Sequence, residues 1–109
     1  MSVSLVYVNT ADRAEALRIG RAMVDARLAA GANILPEISS IFHWQGGVRE
    51  AGEAMLILKT RSELTDAVVD RVRTLHSYEC PSIVAVPVTA GNPDYLAWVG
   101  RETSAGQRD

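Results

Sequence analysis

Apolar residues gather in four runs of strand character, Val3 to Val8, Asn33 to Trp44, Val48 to Lys59 and Ile83 to Thr89, bounded by Asn, Gly, Ser or Pro. Between them the apolar spacing becomes helical. Ala11 to Ala30 carries Leu17, Val24 and Leu28 on one stripe, broadened by Ile19 and Met23, so a helix is predicted there with Thr10 as its cap and Gly31 as its stop. Ser62 is expected to cap a second helix running to Leu75. Its Leu64, Val68, Val72 and Leu75 share a face, while Glu63 and Asp66 sit early and Arg71 and Arg73 late, matching the helix dipole. A third helix is expected from Asn92, with Pro93 in the first turn, where a missing N–H costs nothing.

Gln45-Gly46-Gly47 joins the two middle runs into a hairpin, since its glycines accept positive φ. Each arm is about double the mean strand length, so part of the hairpin is predicted to project beyond a small sheet and to need cover. A neighbouring subunit is the simplest cover. The order β-α-β-β-α-β plus a terminal helix defines an α+β chain with the ferredoxin-like pattern, one antiparallel sheet with two helices on one face. In that topology the second and fourth strands are the edges, and these carry Pro36 and Pro87, where proline removes no ladder bond.

A chain of 109 residues with 48% apolar content is expected to form one domain over residues 1–109, with Ser104 to Asp109 as a fraying tail. The net charge of -2 and scattered arginines argue against a nucleic-acid partner. RNA on the open sheet face is set aside too, because Tyr7 is the only aromatic on the central strands. No apolar run reaches the roughly 18 residues that span a bilayer, so no membrane partner is expected. Cys80 is the only cysteine and cannot close an internal disulfide, and cytoplasmic location is the default expectation.

His76 is the best candidate metal ligand, because imidazole suits copper, zinc and nickel, and Glu79 and Cys80 nearby offer oxygen and sulfur. Strong metal spacings such as CxxC are absent, and His43, Glu50 and Glu53 on the hairpin are candidates only if subunits bring them together. The commoner role for such a histidine is local hydrogen bonding at a helix end. A second constellation is a pocket in which Lys59, Tyr78, Tyr95 and Trp98 join Trp44 of an adjacent chain around a small anion. Trp44 and Trp98 also suit an interface core without a ligand. Cys80 reads as a small packed residue. The chain has no phosphate-binding glycine loop, no Ser-His-Asp order and no acid–base carboxylate pair, and no catalysis is expected.

HSYECPSIVAVPVTAGNPDYLAW (His76 to Trp98), VNTAD (Val8 to Asp12), FHWQGG (Phe42 to Gly47) and LKT (Leu58 to Thr60) occur in order, and together they resemble the CutA divalent-cation tolerance family from about Val3 to Glu102. The resemblance implies a ferredoxin-like domain in a homotrimer like that of the PII signalling proteins, with long hairpins joining neighbouring sheets. It also implies tolerance of divalent cations, copper among them, through weak binding between subunits at a site including His76 and Glu79, with no tightly bound cofactor. A PII-like sensor or scaffold taking a small anionic metabolite near Lys59 is the alternative. Three positions depart from metal-binding relatives: Asn9 and Gly31 stand where some carry cysteine, and Leu75 where some carry a second histidine.

Overall fold

The computed structural model describes residues 1–104. Its strands are β1 (Val3–Thr10), β2 (Gly31–Trp44), β3 (Gly47–Arg61) and β4 (Ile83–Pro87), and its helices are α1 (Arg13–Asp25), α2 (Thr65–Leu75) and α3 (Pro93–Glu102). The strands form one antiparallel sheet in the order β2-β3-β1-β4, so the predicted edges are the observed ones. Both edge prolines fit their places. Pro36 lies in a bulge between Leu35 and Ile38, where two residues of β2 face one of β3. Pro87 pairs with Ser4, and the following amide, that of Val88, is the one that turns inward to the Val3 carbonyl at 2.9 Å.

Alternation divides the sheet into two unlike faces. Val6 and Val8 of β1 and Ala54, Leu56 and Leu58 of β3 are buried beneath α1 and α2, against Ile19, Met23, Val68 and Val72. On the other face lie Leu5, Tyr7, Met55, Ile57, Leu35, Val84 and Val86, which are half-buried or exposed. Only one end of this face is covered. There α3 packs through Val99, Leu96 and Trp98 onto Val3 and Ala30, and the Arg61 guanidinium donates to the Gly100 carbonyl at 2.7 Å.

The hairpin arm projects as expected. β1 pairs with β3 only from Arg61 back to Ala54, while β2 and β3 continue pairing to Trp44 and Gly47. At the tip Gln45 (φ 50°) and Gly46 (φ 80°) both take positive φ, the requirement of the tight two-residue hairpin turn, and Gly47 begins β3.

The helix termini differ from expectation. Asp12, not Thr10, caps α1: its Oδ1 accepts from the Glu15 amide at 2.9 Å, while the Thr10 hydroxyl donates to the Asp12 carbonyl. The helix stops at Asp25 rather than running to Gly31. Leu28 N–H bonds to the Met23 carbonyl and Arg27 N–H to that of Val24, with Arg27 at φ 61°, a glycine-type terminator made without glycine. Ser62 caps nothing through its side chain. Its hydroxyl meets that of Ser4 at 2.7 Å, and a short 3-10 turn, Ser62–Leu64, precedes α2. Asn92 does cap α3, accepting from the Asp94 amide at 3.2 Å.

The stripe of α1 also turned. Ala16, Ile19, Gly20 and Met23 are buried, whereas Leu17 and Val24 are 41% and 38% exposed. The reason is the close approach of helix and sheet at Gly20, where an added Cβ would stand 3.0 Å from Leu56 Cδ1 and 3.3 Å from Ala32 Cβ. The face with small residues, not the largest ones, gets closest. Of the expected tail, Ser104 is tied by its amide to the Arg27 carbonyl at 2.9 Å, and 105–109 lie outside the described residues.

Ile19→Ala is expected to lower unfolding stability by about 2–5 kcal/mol, and Leu17→Ala by no more than about 0.5 kcal/mol. Denaturant midpoints at unchanged slope would check both, and equal losses would contradict the observed stripe.

Candidate functional site

A polar corner forms where α1 begins, α2 ends and the hairpin leaves the sheet. Glu15, the third residue of α1, is 6% exposed. Its Oε1 accepts from the Ala11 amide at 2.9 Å, one residue before the Asp12 cap, and its Oε2 from the Ser77 amide at 2.7 Å, so it ties down the chain entering α1 and the chain after α2. Arg18 stands 3.5 Å from the same carboxylate. Burial alone would push this carboxyl up. Hydrogen bonds from Ala11 and from Ser77 outweigh it and hold the group below the usual carboxylate range.

His76 lies beside it with its side chain fully enclosed. Its Nε2 is 2.7 Å from the Asn9 carbonyl, and its Nδ1 accepts from the Tyr78 amide at 3.0 Å. A ring that accepts at Nδ1 must donate at Nε2, which fixes the neutral Nε2–H tautomer. Glu15 Oε2 waits 3.7 Å from Nδ1, a partner only for a protonated ring. Both nitrogens are therefore engaged, and His76 offers no free lone pair to an ion. Its work here is to fasten the end of β1 to the loop after α2, the local role that competed with metal ligation in the sequence.

Tyr78 continues the corner outward. Its ring centroid is 4.9 Å from that of His76, and its hydroxyl donates to Glu53 Oε2 at 2.7 Å. Partial burial, the Glu53 hydrogen bond and the surrounding carboxylates push the phenol up to about 12, so it remains a donor. Glu53 Oε1 accepts from Ser40 at 2.7 Å and, at a long 3.5 Å, from Asn9 Nδ2. Glu53 faces Ile38, at the bulge where the arm departs.

The remaining candidates fall elsewhere. Glu79 and Cys80 are exposed, so Cys80 is not the packed residue expected. His43 and Glu50 share one face of the arm and Glu53 points to the other, because residues 50 and 53 of one strand have opposite parity. Among the described residues no group of three or more His, Cys, Asp or Glu side chains is placed to hold a metal ion. The residues of one chain do not fit a resident metal.

The second constellation is split. Lys59 reaches the Asn33 side-chain oxygen, and its strand partner Gly31 lies under Trp98, whose Cη2 is 3.9 Å from the position of a Gly31 Cβ. Tyr95 joins Trp98 with ring centroids 5.6 Å apart. Tyr78, however, is bonded to Glu53, and six residues of strand separate Glu53 from Lys59, about 20 Å. Trp44 is at the far end of the arm, 55% exposed. Within one chain, then, Lys59, Tyr95 and Trp98 form one group, and Tyr78 belongs to the His76 corner. A shallow depression of about 280 Å³ lined by Ser39, Ser40, Ile41, Glu50, Ala51 and Gly52 lies on the arm and adjoins the His76 corner only through Ser40, which donates to Glu53.

Sequence reasoning missed Glu15, and it gave Glu53 only as a candidate metal ligand and Asn9 only as a departure from the family pattern. Glu15 had a readable signal, since Asp12-x-x-Glu15 before an apolar helix is a capping-box pattern. The roles of Asn9 and Glu53 depend on partners distant in the chain and left no local trace.

One antiparallel four-stranded sheet with α1 and α2 on one face and an apolar opposite face is a ferredoxin-like α+β fold. The comparisons identify the family. The family model described as CutA1 divalent ion tolerance protein matches residues 4–102, and the chain belongs to that family. Protein CutA of Mus musculus is 41% identical over 104 residues, 95% of this chain and 59% of that protein. The chain thus spans less than two thirds of the mammalian relatives' length, 58% for the human one. The divalent-cation tolerance protein CutA of Thermus thermophilus is 39% identical over 91% of this chain and 96% of its own. The crystal structure of CutA1 from Oryza sativa superposes with a TM-score of 0.92 at 35% identity, covering 95% of each chain.

The depressed Glu15 carboxyl gives a stability term that is complete above the unfolded carboxylate range, about pH 4.3, and is lost as pH falls through the lower folded value. Glu15→Gln is therefore expected to be clearly less stable than the parent near neutrality, with the gap closing on acidification. Melting curves across pH would show it, and a gap independent of pH would refute the charge-based account.

Proposed function

We propose that this chain contributes to tolerance of divalent cations, copper among them, as a non-catalytic homotrimer that binds such ions weakly where subunits meet. The observation that carries it is the open sheet face, with Leu5, Tyr7, Met55, Ile57, Val84 and Val86 side by side and half-buried or exposed among the described residues. An apolar surface of this extent marks an interaction site, and the projecting arm adds exposed Ile41, Trp44 and Val48. The family supports cation tolerance, and the threefold number rests on the family resemblance.

Weak binding follows from the corner's geometry. An ion reaching His76 has to displace the Asn9 carbonyl or free Nδ1 from the Tyr78 amide. Exposed Glu79 is the adjacent oxygen donor. The absence of catalysis is supported by how the buried acid and imidazole are used: Glu15 and His76 direct their hydrogen bonds to backbone groups. Location is part of the same proposal. The exposed, unpaired Cys80 suits the reducing cytoplasm, although a rice relative is named chloroplastic and an Archaeoglobus fulgidus structure periplasmic. No helix among the described residues is long and apolar enough to cross a membrane.

Sedimentation equilibrium at micromolar concentration is expected to give three chain masses, and Cu(II) titration to shift the His76 ring resonances with weak, saturable affinity. A stable single chain removes the oligomeric half of the proposal. Tight stoichiometric binding, or shifts that spare His76, removes the other half.

A further inference from the structure

Lys59 is the only lysine of the chain, and it stands on the open face. Its strand neighbours there are apolar: Leu5 opposite it on β1, and Ile57 two residues earlier on the same side. Its ammonium reaches only the neutral side-chain oxygen of Asn33, and none of the described ion pairs includes it. The other cation at this end of the face, Arg61, is already committed to the Gly100 carbonyl, Thr103 and Glu63. At the opposite end the carboxylate Glu53 is likewise satisfied, by Tyr78 and Ser40.

Covering this face, as the proposed assembly requires, takes one ammonium out of water with no countercharge from its own chain. Burial of an unpaired charge is among the most expensive events in folding or association. Something anionic must answer it. The surroundings specify what kind. One positive charge balances one negative charge, so a monoanion fits better than a phosphate dianion, since the charge of Arg61 is already paired with Glu63. Asn33 adds an amide whose oxygen faces the lysine and whose nitrogen can donate to a second oxygen. Beside them Trp98 lies over Gly31, which has no side chain to hold the indole away, and Tyr95, 41% exposed, extends the aromatic wall.

We propose that Lys59 and Asn33, walled by Trp98 and Tyr95, form a binding site for a small monocarboxylate with an aromatic or other apolar body. The ammonium and the Asn33 amide hold the two carboxylate oxygens, and the rings cover the apolar part. The site lies at the opposite end of the sheet face from the His76 corner. It rests on the oligomeric reading only for the strength of the demand on Lys59, because the four residues belong to one chain.

Lys59 supplies its own reporter. Protein labelled with isotopic lysine gives one side-chain signal, to be followed in titrations with benzoate, acetate and inorganic phosphate at fixed ionic strength, with sedimentation on the same samples. Benzoate is expected to shift the signal saturably, acetate to bind at least tenfold more weakly for want of ring contact, and phosphate to produce no saturable shift. Asn33→Ala and Tyr95→Leu, both at exposed positions that leave the core intact, are each expected to weaken benzoate by roughly tenfold. No saturable shift with benzoate, equal affinity for all three anions, or variants that bind as the parent does would overturn the site. A single-chain mass with benzoate binding retained would instead remove the oligomeric reading and leave the carboxylate site standing.

Discussion

β1 has eight residues and β3 fifteen, and the rest of the molecule arranges itself around that mismatch. Their pairing begins at Val3 with Arg61 and is exhausted at Thr10 with Ala54. Beyond that point β3 has β2 as its only partner, and a two-stranded ribbon is marginal in water when nothing else supports it. The bulge at Pro36 and Glu37 lies at this boundary, where extra twist lets the ribbon leave the plane of the sheet. Glu53 lies there too, tied to Tyr78 of the loop after α2 and to Ser40 of the arm. The arm's exit angle is set by one carboxylate answering several donors.

That carboxylate belongs to a connected series. Asp12 and Glu15 cap α1, Glu15 receives the Ser77 amide, His76 bridges Asn9 to Tyr78, and Tyr78 reaches Glu53. The buried members of the series are Glu15 and the His76 side chain, where an unmet hydrogen bond is the costly condition, while Asp12, Ser77 and Tyr78 lie at the surface. A buried acid beside an imidazole resembles a catalytic or metal-binding pair in composition. Here its hydrogen bonds go to the ends of secondary structure.

Much of the fold was legible because it follows from periodicity and from prolines. The strand order, the two edges with Pro36 and Pro87, the hairpin and the Asn92-Pro93 helix start were read from residues whose preferences are local. The buried side of α1 was not, because Leu17 and Val24 outweigh Ala16 and Gly20 in apolar bulk. What decides the matter is the distance between helix and sheet, a tertiary quantity, and close approach selects the small residues. The end of α1 was misread for a related reason: Arg27 takes the left-handed conformation that a sequence reader assigns to Gly31, and Leu28 and Ala29 then serve the core from outside the helix. His76 shows the deeper limit. Its partners are the carbonyl of Asn9 and the amide of Tyr78, and backbone groups have no signature in a sequence.

The open face is polar in the electrical sense as well as apolar in the chemical one. The covered end carries Lys59 and Arg61, the end near the bulge carries Glu53, and between them stretch Met55 and Ile57 with their neighbours on β1 and β4. A partner that covered only the middle would leave the arm's Ile41, Trp44 and Val48 in water, and one that covered only the arm would leave Val84 and Val86 exposed. Trp44, paired with Gly47, shares the side of Met55 and Ile57, whereas Ile41 and Val48 point to the opposite side of the arm. In the assembly proposed above, a neighbour laid along β3 would meet Trp44 and the open face together, with Lys59 and Glu53 of opposite sign towards its two ends. Lys59 stands beside the Trp98–Tyr95 wall with only the neutral Asn33 oxygen as partner, which is why ligand chemistry is sought at that end.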